Sequence, residues 1–146
     1  AIGRKHESWI VDGLKRYEKR LQAPWATEWV LLPHSAREGL SARQEESERI
    51  LSRLTPRDYV VLLDERGKLL DSPSLSRHIE DVLPTGKNIV FVIGGAYGVN
   101  DALTTRADYL LSLSPLVFPH QLVRLILAEQ LYRAQEIAGN KPYHHE

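Results

Sequence analysis

The chain has 146 residues, which suffices for one ordinary domain with a sizeable core but not for two. Its 19 Lys and Arg residues balance its 19 Asp and Glu residues, and this excludes proteins that bind polyanions through bulk positive charge. The lack of cysteine excludes disulfide frameworks, thiolate metal sites and cysteine nucleophiles. No apolar run approaches the roughly 20 residues that span a bilayer, so no membrane partner is expected. The lack of cysteine makes a reducing cytoplasm the expected compartment.

Helical and strand-like segments alternate along the chain. The helical segments repeat apolar residues every three or four positions, whereas the strands are short and mostly continuous apolar runs. In chain order, the pattern predicts a helix over 6–22, a strand over 29–32, a helix over 41–54, a strand over 59–63, a turn over 64–67, a helix capped by Ser72, a strand over 88–93, a helix over 100–107, a strand over 109–113 and a helix from 119 to about 138. This alternation predicts one α/β domain over residues 1–146, with a parallel sheet covered by helices on both faces.

The final predicted helix carries apolar residues on two sides. One side has a broad stripe, and a second patch of Leu122, Leu125 and Tyr132 lies across a polar strip around Arg133. One sheet can cover only one side of a helix. The second patch must therefore be covered by another helix of the domain or by a partner subunit. We expect the partner, and hence a homodimer.

Two loops are candidates for ligand binding. The first, from Gly94 to Gly98, follows a buried strand at the edge where open parallel sheets bind ligands, and its glycines let a ligand approach the backbone. Its sequence GGAYG is neither G-x-G-x-x-G nor a Walker loop. This mismatch argues against a nucleotide-binding oxidoreductase, which stays as an alternative function. A simple tight turn is the alternative role of the loop. The second loop lies within residues 111–120, where mostly apolar residues between two prolines suit a slot for a flat aromatic group.

Charged and titratable residues outside these loops give weaker signals. The histidines lack the spacing of a metal site, so no metal is expected. Residues 4–20 carry three more basic than acidic side chains. Such a segment is either a solvated helix face or a surface that contacts nucleic-acid phosphates.

Four stretches of the sequence resemble one known family. They are the head AIGRKHESW…GLKRYEKRL, the strand FVIGGAYG, the block LSLSPLVFPHQLVRLILAEQLYRA and the ending KPYHHE. In this order, over essentially the whole chain, they resemble the ribosomal large-subunit pseudouridine N3-methyltransferases, the small bacterial RlmH family of the SPOUT class. Members begin with a strand of which Ala1–Arg4 would be the end, so most of that strand is expected to be missing from this chain.

The resemblance implies a fold, a reaction and a set of cofactor contacts. The fold would be a SPOUT-type homodimer with a C-terminal trefoil knot that binds S-adenosylmethionine without a metal. The substrate would be N3 of a pseudouridine in large-subunit (23S) rRNA, on the assembled ribosome. Carried over by motif, the cofactor contacts fall on Leu63, Gly94, Leu113, Ser114, Pro115, Leu116, Val117 and Phe118. Gly95, the glycine that follows Gly94 in the loop, is added to this set of candidates. A non-catalytic ribosome-associated factor with the same fold is the alternative.

The implied reaction also suggests catalytic residues. N3 must lose an imide proton, which requires a base or cations that stabilise the developing anion. In the tail, His144 is the candidate base because the ordinary pKa of imidazole lies near neutrality, and Tyr143 can stack on a splayed-out base. Arg124 and Arg133 are candidates for holding phosphate or negative charge, with ion pairs to carboxylates of the same helix as the alternative.

Overall fold

The structure, a computed structural model, describes the backbone of residues 1–145 and the side chains of residues 1–143. Three parallel strands form a sheet in the order β2–β1–β3. The helices and strands are α1 (Ser8–Glu18), α2 (Gly39–Arg53), β1 (Asp58–Leu69), α3 (Ser72–Val82), β2 (Asn88–Val92), α4 (Asp101–Arg106), β3 (Tyr109–Ser112) and α5 (His120–Ala138). Short 3-10 turns cover Leu83–Thr85 and Pro142–His145. The predicted α/β class and the parallel sheet are confirmed.

Helices cover both faces of this sheet. Side chains alternate between the faces along a strand, so Val61 of β1 joins one core while its neighbours Val60 and Leu62 join the other. The helical residues in these two cores include Leu75 and Ile79 of α3 with Leu127 and Leu131 of α5 on one face, and Ile50 of α2 with Leu103 of α4 on the other. Each such buried side chain contributes roughly 1.5–3 kcal/mol, which fixes the central strand between two layers of helices.

A helix of the same chain covers part of the second apolar patch on α5. Ile10 and Leu14 of α1 form a buried cluster with Ala128, and Leu125 packs against it. Gly13 makes this approach possible, because a Cβ there would lie 2.7 Å from a methyl carbon of Leu125. Part of the patch that suggested a partner subunit is thus covered within one chain, and the patch does not by itself require a dimer.

Two predicted elements differ from the structure. Residues 29–32 form no strand: the only pairing described there is an isolated parallel bridge between Ile2 and Leu32, and Pro33 follows at once, without an N–H to extend a ladder. The predicted turn over 64–67 is instead an irregularity inside β1. Leu63 and Lys68 both lie opposite Leu111 of β3, so the four residues between them are extra.

The helix boundaries also moved in the structure, by up to four residues. Helix α1 ends at Glu18, and α2 begins at Gly39. Asp71, not Ser72, caps α3: its carboxylate accepts a hydrogen bond of 2.8 Å from the backbone N–H of Ser74. A carboxylate is the better acceptor at the positive end of a helix. Among the described residues no helix is long and apolar enough to cross a membrane.

Candidate functional site

A cleft of about 770 Å³ opens where β1, β2 and β3 end. Three chain segments line it: the end of β1 with its irregularity, the glycine turn after β2 and the apolar loop after β3. Among the cleft residues are Leu63, Gly94, Gly95, Leu113, Ser114, Leu116, Val117 and Phe118. The structure therefore brings together all the residues that the sequence suggested for cofactor binding except Pro115, which lies in the same loop but outside the lining.

The glycine turn is tightly held. Gly98 has a left-handed φ of 78°, and its N–H donates to the carbonyl of Gly95 at 3.0 Å. From α2, the Nε of Arg43 donates to the carbonyl of Tyr97 at 2.7 Å. A Cβ on Gly94 would lie 2.8 Å from a methyl carbon of Val99, so the turn has no space for a larger residue. This wall of the cleft is therefore backbone with a fixed shape.

The loop after β3 presents apolar side chains at the cleft. Leu116 and Val117 are 70% and 79% exposed, which is unusual for large apolar residues next to each other. Ser114 fixes the loop, because its hydroxyl accepts from the N–H of Leu116 at 3.0 Å and its carbonyl accepts from Ser112 at the same distance. Such a loop suits a ligand with a flat apolar part that covers these side chains.

The part of the cleft lined by the irregularity of β1 carries charge. Asp64 receives two hydrogen bonds from the guanidinium of Arg66, at 3.1 and 2.8 Å. The Arg66 hydrogen bonds hold the pKa of the Asp64 carboxyl below its usual value, against the opposing effect of burial. This part of the cleft therefore carries an ion pair at neutral pH. Within the described part of the chain, no group of three His, Asp or Glu side chains could hold a metal ion.

Arg124 lies outside the cleft lining and binds the N-terminal segment. Its side chain is 1% exposed, and its two Nη atoms donate to the carbonyls of Ile2, Gly3 and Lys5 at 2.9, 3.3 and 3.0 Å. One Nη also lies 3.1 Å from Nδ1 of His6. Burial and the Arg124 charge lower the pKa of His6, so its neutral ring can accept that hydrogen bond. Arg124 thus bridges α5 and the first residues of the chain.

Replacing Arg124 with methionine is expected to lower the free energy of unfolding by roughly 3 kcal/mol, the upper end for hydrogen bonds that involve a charged group. The change fills a similar volume but leaves the carbonyls of Ile2 and Gly3 without their buried donor. Urea unfolding measures the effect. The matched control is Arg16→Met on exposed α1, expected to change stability by about 0.5 kcal/mol at most. Equal losses in both variants would contradict a structural role for Arg124.

The other predicted catalytic residues lie at the end of α5. The ring of Tyr143 meets the edge of Tyr132 at 4.8 Å between centroids, and the guanidinium of Arg133 lies 4.8 Å from its centre. The pKa of Tyr143 is raised to about 12, mainly because the phenol is desolvated by burial and to a smaller extent because it forms a hydrogen bond with Tyr17. Tyr143 is not part of the cleft lining of the same chain. The side chain of His144 lies outside the described residues.

Arg133, the second arginine considered, forms the ion pair that was its alternative interpretation. Its Nε donates to Glu129 at 2.9 Å, and Nη1 donates to the carbonyl of Tyr143 at 3.3 Å. The i, i+4 spacing of the two side chains suits such a pair on a helix. Arg133 therefore ties the tail to α5.

Sequence analysis missed a group of titratable side chains behind the cleft. His120 lines the cleft. Glu46 of α2 is 4% exposed, and its Oε2 accepts from the N–H of Ser35 at 2.9 Å. His34 lies 3.9 Å from the same carboxylate. None of these residues has a motif spacing, and only the position of His120 at a helix start after a proline could have drawn attention to it.

Comparison with known proteins identifies the family. Residues 1–144 match the family model described as "Predicted SPOUT methyltransferase". The chain belongs to the SPOUT methyltransferase family. This confirms the family and the enzyme class that the sequence resemblance implied.

Curated relatives of this SPOUT methyltransferase agree with the resemblance. The protein named "Ribosomal RNA large subunit methyltransferase H" from Desulfitobacterium hafniense (strain Y51) is 41% identical over 152 residues, covering 99% of this chain and 95% of the relative. Proteins of the same name from Parabacteroides distasonis and Christiangramia forsetii are 41% and 42% identical, with 99% of this chain and 96% and 95% of the relatives covered. The similarity thus extends over nearly the full length on both sides.

Proposed function

We propose that the protein transfers a methyl group from S-adenosylmethionine to N3 of a pseudouridine in large-subunit (23S) rRNA, on assembled ribosomes in the cytoplasm. The printed name of the relatives, which refers to large-subunit ribosomal RNA, supports the substrate class. The observation that carries the proposal is the cleft, in which segments distant in sequence meet at the carboxyl ends of the strands. This is the edge where α/β sheets of this kind bind ligands.

The residues of the cleft fit S-adenosylmethionine. A volume of about 770 Å³ lies within the usual range for small-molecule sites. The apolar loop would hold the flat adenine between side chains such as Leu116 and Val117, and the backbone of Gly94 and Gly95 would allow close approach. Leu63, Leu113, Ser114, Pro115 and Phe118 complete the proposed contacts. When bound, this group supplies an electrophilic methyl on a sulfonium, and the proposal assigns no metal.

The protein must position the base and remove its proton. In-line displacement depends mainly on alignment, and the imide nitrogen becomes a nucleophile only after it loses its proton. We assign stacking on the base to Tyr143 and offer His144 as the tail's candidate for proton removal. Arg124, through its charge beside His120, would stabilise the negative charge that develops.

The first helix is the proposed rRNA contact. The segment 4–20, which contains this helix, carries six basic residues that are all exposed, namely Arg4, Lys5, Lys15, Arg16, Lys19 and Arg20. Exposed cations of this kind contact phosphates and orient a protein on nucleic acid without reading its sequence. The proposal thus combines a local basic surface with a chain whose formal net charge is zero.

Dimerisation and the C-terminal trefoil knot belong to the same proposal. In one chain Tyr143 packs on α5 and does not line the cleft, so a second chain is one way to bring a tail to a cleft. Leu122, Ile126 and Ile137 on α5 are only half-buried and offer an apolar surface for such a partner. We expect light scattering at micromolar concentration to give twice the mass of one chain. A monomer under these conditions would contradict the dimer.

Transfer of a labelled methyl group to ribosomes that lack the modification tests the proposed function. Nucleoside mass analysis should find the label on N3 of pseudouridine. Label on another base would contradict the specific substrate and keep the methyltransferase class. A non-catalytic ribosome factor predicts no binding of S-adenosylmethionine by calorimetry, and a nucleotide-binding oxidoreductase predicts binding of NAD in a parallel titration.

A further inference from the structure

We propose that His120 is the residue that takes the N3 proton, and that the buried carboxylate of Glu46 stabilises the imidazolium that forms. This inference rests on the proposed function and names a catalytic residue within it. His120 is the first residue of α5 and lines the cleft directly after the apolar loop. It is therefore the described imidazole closest in the chain to the proposed cofactor contacts. Tyr143, in contrast, lies beyond the other end of α5, in the turn that follows the helix.

The carboxylate of Glu46 lies immediately behind the glycine wall of the cleft. A Cβ on Gly95 would collide with Oε1 of Glu46, so only a glycine lets the carboxylate come this close. Oε1 is buried and has no hydrogen-bond partner among the described residues. A buried carboxylate oxygen without a partner is costly, which indicates that it serves a group or a state that the resting protein does not show.

The charged groups around His120 come from three parts of the chain. Arg124 lies one turn further along α5, where i and i+4 side chains are neighbours. His34 lies before α2, where a Cβ on Gly3 would be 3.4 Å from its Nε2 and 2.7 Å from a guanidinium nitrogen of Arg124. Glu46 adds the only negative charge among the groups that influence His120. The cleft itself is also lined by the Asp64–Arg66 ion pair.

These surroundings suit a base that starts neutral. Burial lowers the pKa of His120, the charges of Arg124 and His34 lower it further, and Glu46 opposes them. A neutral imidazole at pH 7 can accept a proton, and a carboxylate nearby then stabilises the imidazolium that results. The orphaned oxygen of Glu46 is available for this second task, because only its Oε2 is used by Ser35.

The proton transfer balances without any further reactant. The N3–H bond breaks and its proton passes to a ring nitrogen of His120, while the electron pair stays on N3. That pair forms the new bond to the methyl carbon, and the pair of the broken carbon–sulfur bond stays on sulfur. The imidazolium of His120 then returns its proton to water. In this scheme the tail binds the base, and His144 is not required to accept the proton.

The test uses the full chain with His120→Asn, which keeps a polar side chain of similar reach but removes the titrating ring. Single-turnover methyl transfer to unmodified ribosomes is expected to fall about 100-fold, within the usual range for loss of a general base. Affinity for S-adenosylmethionine, measured by calorimetry, should stay within about twofold, because a base acts on the transition state rather than on binding. Added imidazole should restore part of the rate in His120→Ala, since it fills the space left by the ring.

A second readout needs no substrate. Nuclear magnetic resonance titration of the His120 ring should give a pKa below the ordinary value of 6.5. Glu46→Gln should lower this pKa further, because it removes the one charge that raises it.

The matched control for the methyl-transfer rate of His120→Asn is His78→Asn on α3, where the imidazole bonds the hydroxyl of Tyr59 at 2.9 Å. This variant should keep the wild-type rate of methyl transfer.

Each contrary result has a defined meaning. Full activity of His120→Asn, with an active wild type, would overturn the role of His120 and leave the proposed function in place. A loss of activity explained entirely by weaker S-adenosylmethionine binding would also overturn this role. So would a combination of two results: His144→Ala loses as much activity as His120→Asn, and added imidazole does not restore activity to His120→Ala. A wild type that leaves pseudouridine unmethylated overturns the proposed function itself.

Discussion

Gly94→Val is expected to abolish measurable S-adenosylmethionine binding while the protein stays folded. The new Cβ would lie 2.8 Å from a methyl carbon of Val99, so the side chain must push the glycine turn into the cleft. Overpacking of this kind costs about 1–3 kcal/mol, which at the upper end weakens binding about 100-fold. Calorimetry with S-adenosylmethionine measures the affinity, and urea unfolding measures the remaining stability.

Two further variants define what Gly94→Val means. Lys87→Val adds the same side chain at an exposed position before the other end of β2, and it should bind with wild-type affinity. Gly94→Ala combined with Val99→Ala removes the colliding methyl groups of Val99, and it should recover much of the binding lost in Gly94→Ala alone. Normal affinity of Gly94→Val would mean that the turn plays no part in binding the cofactor.

Removing residues 142–146 should reduce methyl transfer to ribosomes by about 100-fold or more, since stacking on one base alone contributes about 1–3 kcal/mol and a second contact is lost with it. The cut spares the end of α5, where the N–H of Lys141 donates to the carbonyl of Glu136 at 2.8 Å and that of Asn140 to Ile137 at 3.0 Å. S-adenosylmethionine binding should be unchanged, because Tyr143, the tail residue whose side chain is described, does not line the cleft of its own chain. The oligomeric state should be unchanged as well, because the truncation keeps the half-buried apolar residues of α5.

The single substitutions separate the parts of this effect. Tyr143→Phe should cost less than the truncation, because the ring that stacks is kept and only the hydroxyl bonded to Tyr17 is lost. His144→Ala should fall between the two if the tail only binds the base. A truncated enzyme that works at the full rate would mean that the tail has no role in the reaction.

Much of the fold was predictable because its segments carry strong periodic patterns. Apart from Asn88, the runs 59–63 and 88–93 are apolar, as expected for strands between two helical layers, and the structure has them paired in parallel. The prediction of a strand over 29–32 was wrong because four apolar residues form a strand only if a neighbouring strand pairs with them in a hydrogen-bonded ladder. Leu32 meets Ile2 in a single bridge, and that depends on tertiary contacts that a local pattern does not contain.

The cofactor side of the cleft was predictable to a greater extent than the catalytic side. Glycines after a buried strand and an apolar loop before a helix are local signals, and these segments do meet in one cleft. Arg124 was a candidate for holding phosphate or negative charge, with an ion pair on the same helix as the alternative, but in the structure it bonds backbone carbonyls more than 110 residues away in the chain. Glu46 reaches the back of the glycine wall from α2. Neither contact leaves a trace in spacing or composition.

The docked ring of Tyr143 makes the position of the tail sensitive to alkali. Its phenol has a pKa of about 12 on α5, against an ordinary value of 10.0, so the docked state favours the protonated ring. Docking therefore keeps its full strength below about pH 10 and weakens as the pH rises through about 12, where the phenolate prefers water. Near neutral pH the phenol keeps its proton, so the tail stays on or leaves α5 according to competing contacts, among them the proposed stacking of Tyr143 on the substrate base.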